Sequence, residues 1–171
     1  MKCLLPWRLR VLAASCMALA VLAGCSTSGS AQADDAAAVT NTVRAYNDDL
    51  ARAFAEMDMN ELSGSATQRQ AEEEFSLMAA LGEGRLRMLA TLVRIEFGDV
   101  RFPAEGIAQV DTTEIWDYDH ISLDTSETVR AERNVTYSLR YDLVLQGDRW
   151  LVDAVTSLDG EATGGSRETT P

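Results

Sequence analysis

Lysine and cysteine are nearly absent from this chain of 171 residues. Lys2 is its single lysine, and its three cysteines, Cys3, Cys16 and Cys25, all lie in the first 25 residues. Binding to nucleic-acid phosphates requires a basic face, but the chain has 15 basic residues against 27 acidic ones and a net charge of -12. The composition therefore argues against a nucleic-acid partner. The apolar fraction of 46% also excludes a wholly disordered chain.

Long hydrophobic runs are equally scarce. The one uncharged stretch, residues 11–24, follows Lys2, Arg8 and Arg10, with no acidic residue before it. About 20 apolar residues are needed to cross a bilayer core, so this run is too short for a permanent membrane span. A basic segment followed by a short apolar one is typical of a secretion signal, which we assign to residues 1–24.

The signal ends in Leu22-Ala23-Gly24-Cys25, followed by a Ser/Gly-rich segment. This resembles the lipobox of bacterial lipoprotein precursors. The resemblance implies that Cys25 carries fatty acyl chains such as palmitate and becomes the first residue of the mature chain. The protein would then be held at the membrane of the cell envelope, with its domain outside the cytoplasm. Without the signal the net charge falls to -15 and every basic residue is arginine.

The rest of the chain predicts one domain. Residues 25–33 are small and polar and predict a flexible tether, residues 34–158 predict a single folded domain, and residues 159–171 predict a disordered tail. Asp34 and Asp35 can cap a helix of about six turns that ends near Met57. Its apolar positions recur at helical spacing: Val39, Val43, Tyr46, Leu50, Phe54 and Met57.

A second helix is predicted to begin at a capping box that starts with Ser65 and to be stopped by Gly82 and Gly84. We expect one side of it to be apolar, through Ala71, Phe75, Met78 and Leu81. Three consecutive acids on this helix, Glu72, Glu73 and Glu74, point across about 200° of the helix and cannot converge on one ion. A solvated acidic face is therefore favoured over a metal site.

The second half of the domain shows the alternation that is typical of strands. A half-buried strand is predicted within residues 89–102, where Val93, Ile95 and Phe97 alternate with Arg94, Glu96 and Gly98. A turn at 103–106 and three further strands follow. Those strands comprise residues 108–118, residues 135–145 and, after a tight hairpin at 146–148, residues 150–155. Helices followed by long antiparallel strands predict an α+β fold, with N-terminal helices packed on one face of a strongly curved antiparallel sheet.

This order of elements over residues 36–155 resembles the nuclear-transport-factor-2-like cone. Within that group, residues 112–118 (TTEIWDY), 141–145 (YDLVL) and 147–153 (GDRWLVD) are similar to the intermembrane-space domain of plastid-division proteins and its bacterial relatives. The resemblance implies helices covering a bent sheet around a cavity.

The plan resembles that of ketosteroid isomerases and SnoaL-like cyclases, which implies an Asp or His base and a hydrogen-bonding Tyr or Asp inside the cone. Glu114 is the weak catalytic candidate here, because it shares a strand phase with Val110 and Trp116. The proton donors would be Tyr118, Tyr137 or Tyr141. The alternative is that Glu114 has no catalytic role and lies at the solvent-exposed end of the sheet or pairs with an arginine. This alternative is favoured because no histidine or second acid lies on the same face of the strand.

His120 is the only histidine and lies in an Asp-x-Asp-His cluster that can bind metal or transfer protons. Because it precedes a segment predicted as a loop, residues 122–133, a solvated loop histidine is favoured. We therefore predict no metal and no cofactor.

Two functions remain open. The first is a non-catalytic binding or assembly module with an envelope protein partner, and the second is a small-molecule cavity protein, or an enzyme that uses Glu114. The candidates for ligand or partner contact are Trp116, Tyr118, Tyr137, Tyr141 and Trp150. An open cavity with a buried polar residue favours the second function, and a cone filled by aromatic side chains favours the first.

Overall fold

The computed structural model describes residues 28–159, in which helices precede a single antiparallel sheet. The elements in chain order are α1 (Ser28–Glu56), a 3-10 helix (Met59–Gly64), α2 (Gln68–Glu83), β1 (Leu86–Phe97), β2 (Arg101–Ala104), β3 (Ile107–Ser122), β4 (Thr128–Gln146) and β5 (Arg149–Ser157). The strand order is β1-β3-β4-β5, and the short β2 pairs with β3. The predicted α+β fold is confirmed. None of the helices in the described range is long and apolar enough to cross a membrane.

The first helix carries the predicted apolar face, since Val39, Val43, Tyr46 and Phe54 are all buried. Its start differs from the prediction: α1 begins at Ser28, so residues 28–33, expected in the tether, are helical. The alanine-rich sequence before residue 39 explains this, because alanine has the highest helix propensity and extends a helix without a cap. The signal, Cys25 and residues 160–171 lie outside the described residues.

The second helix begins two residues later than its predicted cap. Thr67 is the N-cap and accepts a hydrogen bond from the Gln70 amide, whereas the Ser65 hydroxyl donates to Asp49 Oδ2 at 2.6 Å. The predicted inner face was wrong at one position, since Phe75 is 52% exposed. Two polar side chains, Gln70 and Glu74, face inward instead because each has a hydrogen-bond partner there.

The sheet is bent by register shifts. A bulge in β1 between Leu92 and Arg94 leaves Val93 exposed, although its alternation with Ile95 predicted a buried position. The phase of β3 is as predicted, because the side chains of the even-numbered positions from Ala108 to Trp116 are buried.

The predicted loop at residues 122–133 is shorter than expected. The β4 strand already begins at Thr128, and its first residues pair with the end of β3, so that Arg130 lies opposite His120. This part of β4 is exposed on both faces. A strand with two solvated faces has no apolar alternation, so the sequence pattern does not reveal it.

The larger hydrophobic core lies between α1, the 3-10 helix and the end of the sheet where β4 turns into β5. Its fully buried members include Val43, Leu62, Leu143 and Val152, and Trp150 packs with them. The turn itself is the predicted hairpin. Gly147 occupies its first central position with a φ of 66°, a conformation that glycine adopts without strain.

Candidate functional site

A cavity of about 200 Å³ lies between the two helices and the concave face of the sheet, partly open to solvent. Apolar side chains form much of its wall, and these include Leu50, Phe54, Met88, Leu139 and Val155. Its polar wall consists of Tyr46, Asn47, Glu74, Glu114, Trp116, Tyr118, Tyr137 and Tyr141. The cone is therefore not filled by its aromatic side chains.

Glu114 is the centre of the polar wall and is only 1% exposed. Its Oε1 accepts hydrogen bonds from the Thr112 hydroxyl at 2.9 Å, the Tyr141 hydroxyl at 2.8 Å and the Asn47 amide at 3.2 Å. Its Oε2 accepts from the Trp116 indole at 2.7 Å. Four donors thus hold one buried carboxylate. This geometry contradicts the favoured expectation, since Glu114 lies neither at a wetted edge nor beside an arginine of the described range.

The donors around Glu114 come from three different elements. Thr112 and Trp116 precede and follow it at two-residue spacing on β3, so strand geometry alone places all three side chains on one face. Tyr141 reaches it from the neighbouring β4, and Asn47 from the covering helix α1. The hydrogen bonds therefore fasten the helix to the sheet at the wall of the cavity.

A second carboxylate, Glu74, enters the cavity from α2. Its Oε1 accepts from the Tyr46 hydroxyl at 2.8 Å and from Gln70 Nε2 at 2.9 Å. The expectation of a solvated acidic face is thus correct for Glu72 and Glu73, which are exposed, and wrong for Glu74. Burial raises the pKa of Glu74, and the charge of Glu73 adds to this, although the two hydrogen bonds oppose it.

Three tyrosines of the wall are held in the neutral form. Burial raises the pKa of Tyr46, Tyr118 and Tyr141 far above the usual range for a phenol. The charge of Glu114 acts in the same direction on Tyr141, and that of Glu74 on Tyr46. The phenol protons of Tyr46 and Tyr141 are therefore available for donation to Glu74 and Glu114, respectively.

The charged side chains that line the cavity are all negative. Two of its lining residues are acids, and none of its lining residues, all within the described range, is basic. Arg140, next to the lining residue Tyr141 in sequence, pairs with the surface acid Asp111. This pairing lowers the pKa of Asp111 strongly, but neither residue lines the cavity.

Most of the predicted candidates meet at this cavity. Glu114, Trp116, Tyr118, Tyr137 and Tyr141 all line it. The other predicted tryptophan does not: Trp150 packs against Phe102 in the larger core, with ring centroids 6.0 Å apart.

Three residues of the polar wall were not predicted as site residues. Tyr46 was assigned only to the apolar face of the first helix, Asn47 was assigned no role, and Glu74 was assigned to a solvated acidic face. The spacing of Gln70 and Glu74, four residues apart, is the one signal for a shared helix face.

His120 lies inside β3 and not in a loop. It pairs with Met88 on one side and with Arg130 on the other, and its Nδ1 is buried without a hydrogen-bond partner. Within residues 28–159 no three histidine, cysteine or acidic side chains are grouped so that they can hold a metal ion.

No model of a known protein family matches the chain, and no curated protein matches it in sequence. Solved structures do match. The intermembrane space region of the chloroplast protein ARC6 superposes with a TM-score of 0.63 at 20% identity, over 72% of this chain and 95% of that one. This similarity shows a shared fold.

Two further structures superpose less closely. A ketosteroid isomerase-like protein from Erwinia carotovora atroseptica has a TM-score of 0.47 at 13% identity, over 73% of this chain and 97% of its own. An NTF-2 like protein of unknown function from Shewanella oneidensis has a TM-score of 0.39 at 13% identity, over 69% and 97%. Neither supports an argument about function.

Proposed function

We propose that this protein is a lipid-anchored, extracytoplasmic binding module whose cavity receives a small molecule. The observation that carries the proposal is the open cavity itself, with Glu114 buried in its wall. A concave apolar pocket with a few convergent polar groups is the usual form of a ligand site. Envelope anchoring through Cys25 completes the proposal, and an envelope protein partner with basic segments would suit the acidic surface.

The size of the cavity limits its ligand to one ring or a short branched chain. An engineered apolar cavity of about 150 Å³ accepts benzene, so about 200 Å³ suits a ring with one small substituent. Leu139 and Met88 on the sheet and Phe54 on α1 supply apolar contacts for such a group.

The hydrogen bonds of Glu114 favour binding over proton transfer. Each carboxylate oxygen has about two lone-pair directions, so the three donors at Oε1 saturate it, and the Trp116 indole takes one of the two directions at Oε2. A general base needs an accessible lone pair for the proton that it removes, and a carboxylate that is 1% exposed offers little access. Glu114 is better suited to holding helix and sheet together around the cavity.

A cavity-filling substitution tests the ligand site. Ala90 on β1 lines the cavity, whereas its neighbour Thr91 points to the exposed face of the same strand. In NMR titrations with benzyl alcohol we expect wild type and Thr91→Phe to show saturable shifts of the Trp116 and Tyr118 signals. Ala90→Phe should show none. Identical titrations for the two variants would contradict the proposed site.

The anchor has its own test. Intact mass measurement of the protein from a bacterial host should show fatty acylation at a mature N-terminal Cys25, and Cys25→Ser should remove both the acyl mass and the membrane association. A mature N-terminus at any other residue would contradict the proposed anchor.

A further inference from the structure

We propose that the ligand of this cavity is a small organic ammonium ion that carries an apolar or aromatic group. The inference rests on the proposed function and specifies its ligand. It depends on three observations: the sign of the charges in the cavity, the unused acceptor on Glu74 and the aromatic surface beside it.

Both charged side chains that line the cavity are carboxylates. Buried charges in proteins are normally compensated by an opposite charge or by hydrogen bonds. Glu114 is compensated by its four donors, but Glu74 has only two, and both donate to its Oε1. Its Oε2 accepts no hydrogen bond from any described residue. A cationic ligand would supply the counter-charge that the protein itself does not bring to this carboxylate.

The aromatic wall is the second contact for a cation. Trp116 and Tyr118 are stacked with ring centroids 6.1 Å apart, and Tyr137 meets Tyr118 edge to face at 6.4 Å. Aromatic faces carry negative electrostatic potential, and tryptophan and tyrosine attract ammonium groups more strongly than neutral groups of the same size. The same rings give the apolar part of the ligand a flat surface.

Neither an anionic nor a neutral ligand matches these features. An anion would enter a confined space between two carboxylates, where charges interact more strongly than in bulk water. A neutral ring would fill the apolar part but leave Glu74 without a counter-charge. The cavity therefore discriminates by charge as well as by size.

A panel of three molecules of matched size tests the inference: benzylammonium, benzyl alcohol and benzoate. In calorimetric or NMR titrations at neutral pH and low salt, we expect benzylammonium to bind at least ten times more tightly than benzyl alcohol. Benzoate should show no saturable binding. Equal affinity for benzylammonium and benzyl alcohol would overturn the inference and leave the proposed cavity function intact. If no member binds, the proposed function fails and the inference falls with it.

A matched pair of variants assigns the effect to Glu74. Glu74→Gln keeps the size of the side chain and an oxygen that can accept from Tyr46, but removes the charge. Glu72→Gln removes the same charge from the exposed face of the same helix. We expect Glu74→Gln to lower the ratio of benzylammonium affinity to benzyl alcohol affinity about tenfold, and Glu72→Gln to leave that ratio unchanged. Equal losses in both variants would show a general charge effect and contradict a site at Glu74.

Discussion

Two tryptophans of similar burial lie on the concave side of the sheet and have different roles. Trp150 is 8% exposed and Trp116 is 5% exposed. Trp150 on β5 pairs with Leu145, near the end of β4, whereas Trp116 on β3 pairs with Val135, near the middle of β4. Trp150 packs against Phe102, whereas Trp116 donates its indole proton to Glu114.

The different surroundings of the two tryptophans define two ends of the domain. The packed end is the larger core around Trp150, and the open end is the cavity that Trp116 lines. At the packed end, apolar side chains meet from the helices and the sheet, and their burial stabilises the fold. At the open end, the same sheet face presents Glu114, helix α2 adds Glu74, and between helices and sheet lies a space about the size of one ring. A cavity and buried charges both reduce stability, so the open end contributes less to folding than the packed end does.

The largest expected effect concerns the packed end. Leu143 is fully buried in the larger core, while Leu145, two residues further along the same strand, is 42% exposed. Leu143→Ala should lower the free energy of unfolding by about 2–5 kcal/mol because it leaves a cavity among packed side chains. Leu145→Ala should change it by no more than about 0.5 kcal/mol. Urea denaturation of the two variants measures both, and similar losses would contradict the difference in burial between these two positions.

A smaller effect is expected for the carboxylate of the open end. Glu114→Gln replaces an acceptor by an amide, so one of the four donors must face another donor. We expect a loss of about 1–3 kcal/mol in the free energy of unfolding. Glu105→Gln, in the exposed turn between β2 and β3, is the control and should be neutral. A Glu114→Gln variant as stable as wild type would show that the hydrogen bonds do not hold the wall together.

The sequence predicts the packed end better than the open end. Strand alternation on β3 and β4 correctly placed Val110, Leu143 and Tyr141 inside, because apolar periodicity reports directly which face is buried. The same phase also identified Glu114 as an inward acid. Its donor Asn47 is distant in sequence, and only the packing of α1 on the sheet brings it to the carboxylate.

The two errors on α2 have a common physical cause. Phe75 was expected inside and Glu74 outside, because hydropathy treats every acid as solvated and every large apolar residue as buried. The orientation of α2 is instead compatible with hydrogen bonds from Tyr46 and Gln70 to Glu74. Tyr46 is 28 residues away from Glu74 in sequence, and such a partner leaves no periodic signal, so the second acid of the cavity was found only in the structure.

The smallest expected effect is a pH dependence that originates at Glu74. Its pKa is raised above the ordinary value of 4.5 by burial, so the folded protein binds this proton more tightly than the unfolded chain does. As the pH rises from 4.5 through the raised pKa, the folded state must ionise a partly buried group, and stability is lost over that interval.

Comparison with Glu74→Gln isolates this contribution, because other groups titrate in both proteins. The difference in free energy of unfolding, wild type minus variant, should therefore decrease as the pH rises above 4.5 and become constant once Glu74 is ionised. Thermal denaturation at a series of pH values measures this difference, with Glu72→Gln as the control that should parallel wild type.

A bound ammonium ion would supply the missing counter-charge, so saturating benzylammonium should make the difference between wild type and Glu74→Gln less dependent on pH. If, without ligand, the free energies of unfolding of wild type and Glu74→Gln ran parallel with pH, Glu74 would be as well solvated as the surface acids. The open end would then contain no uncompensated charge.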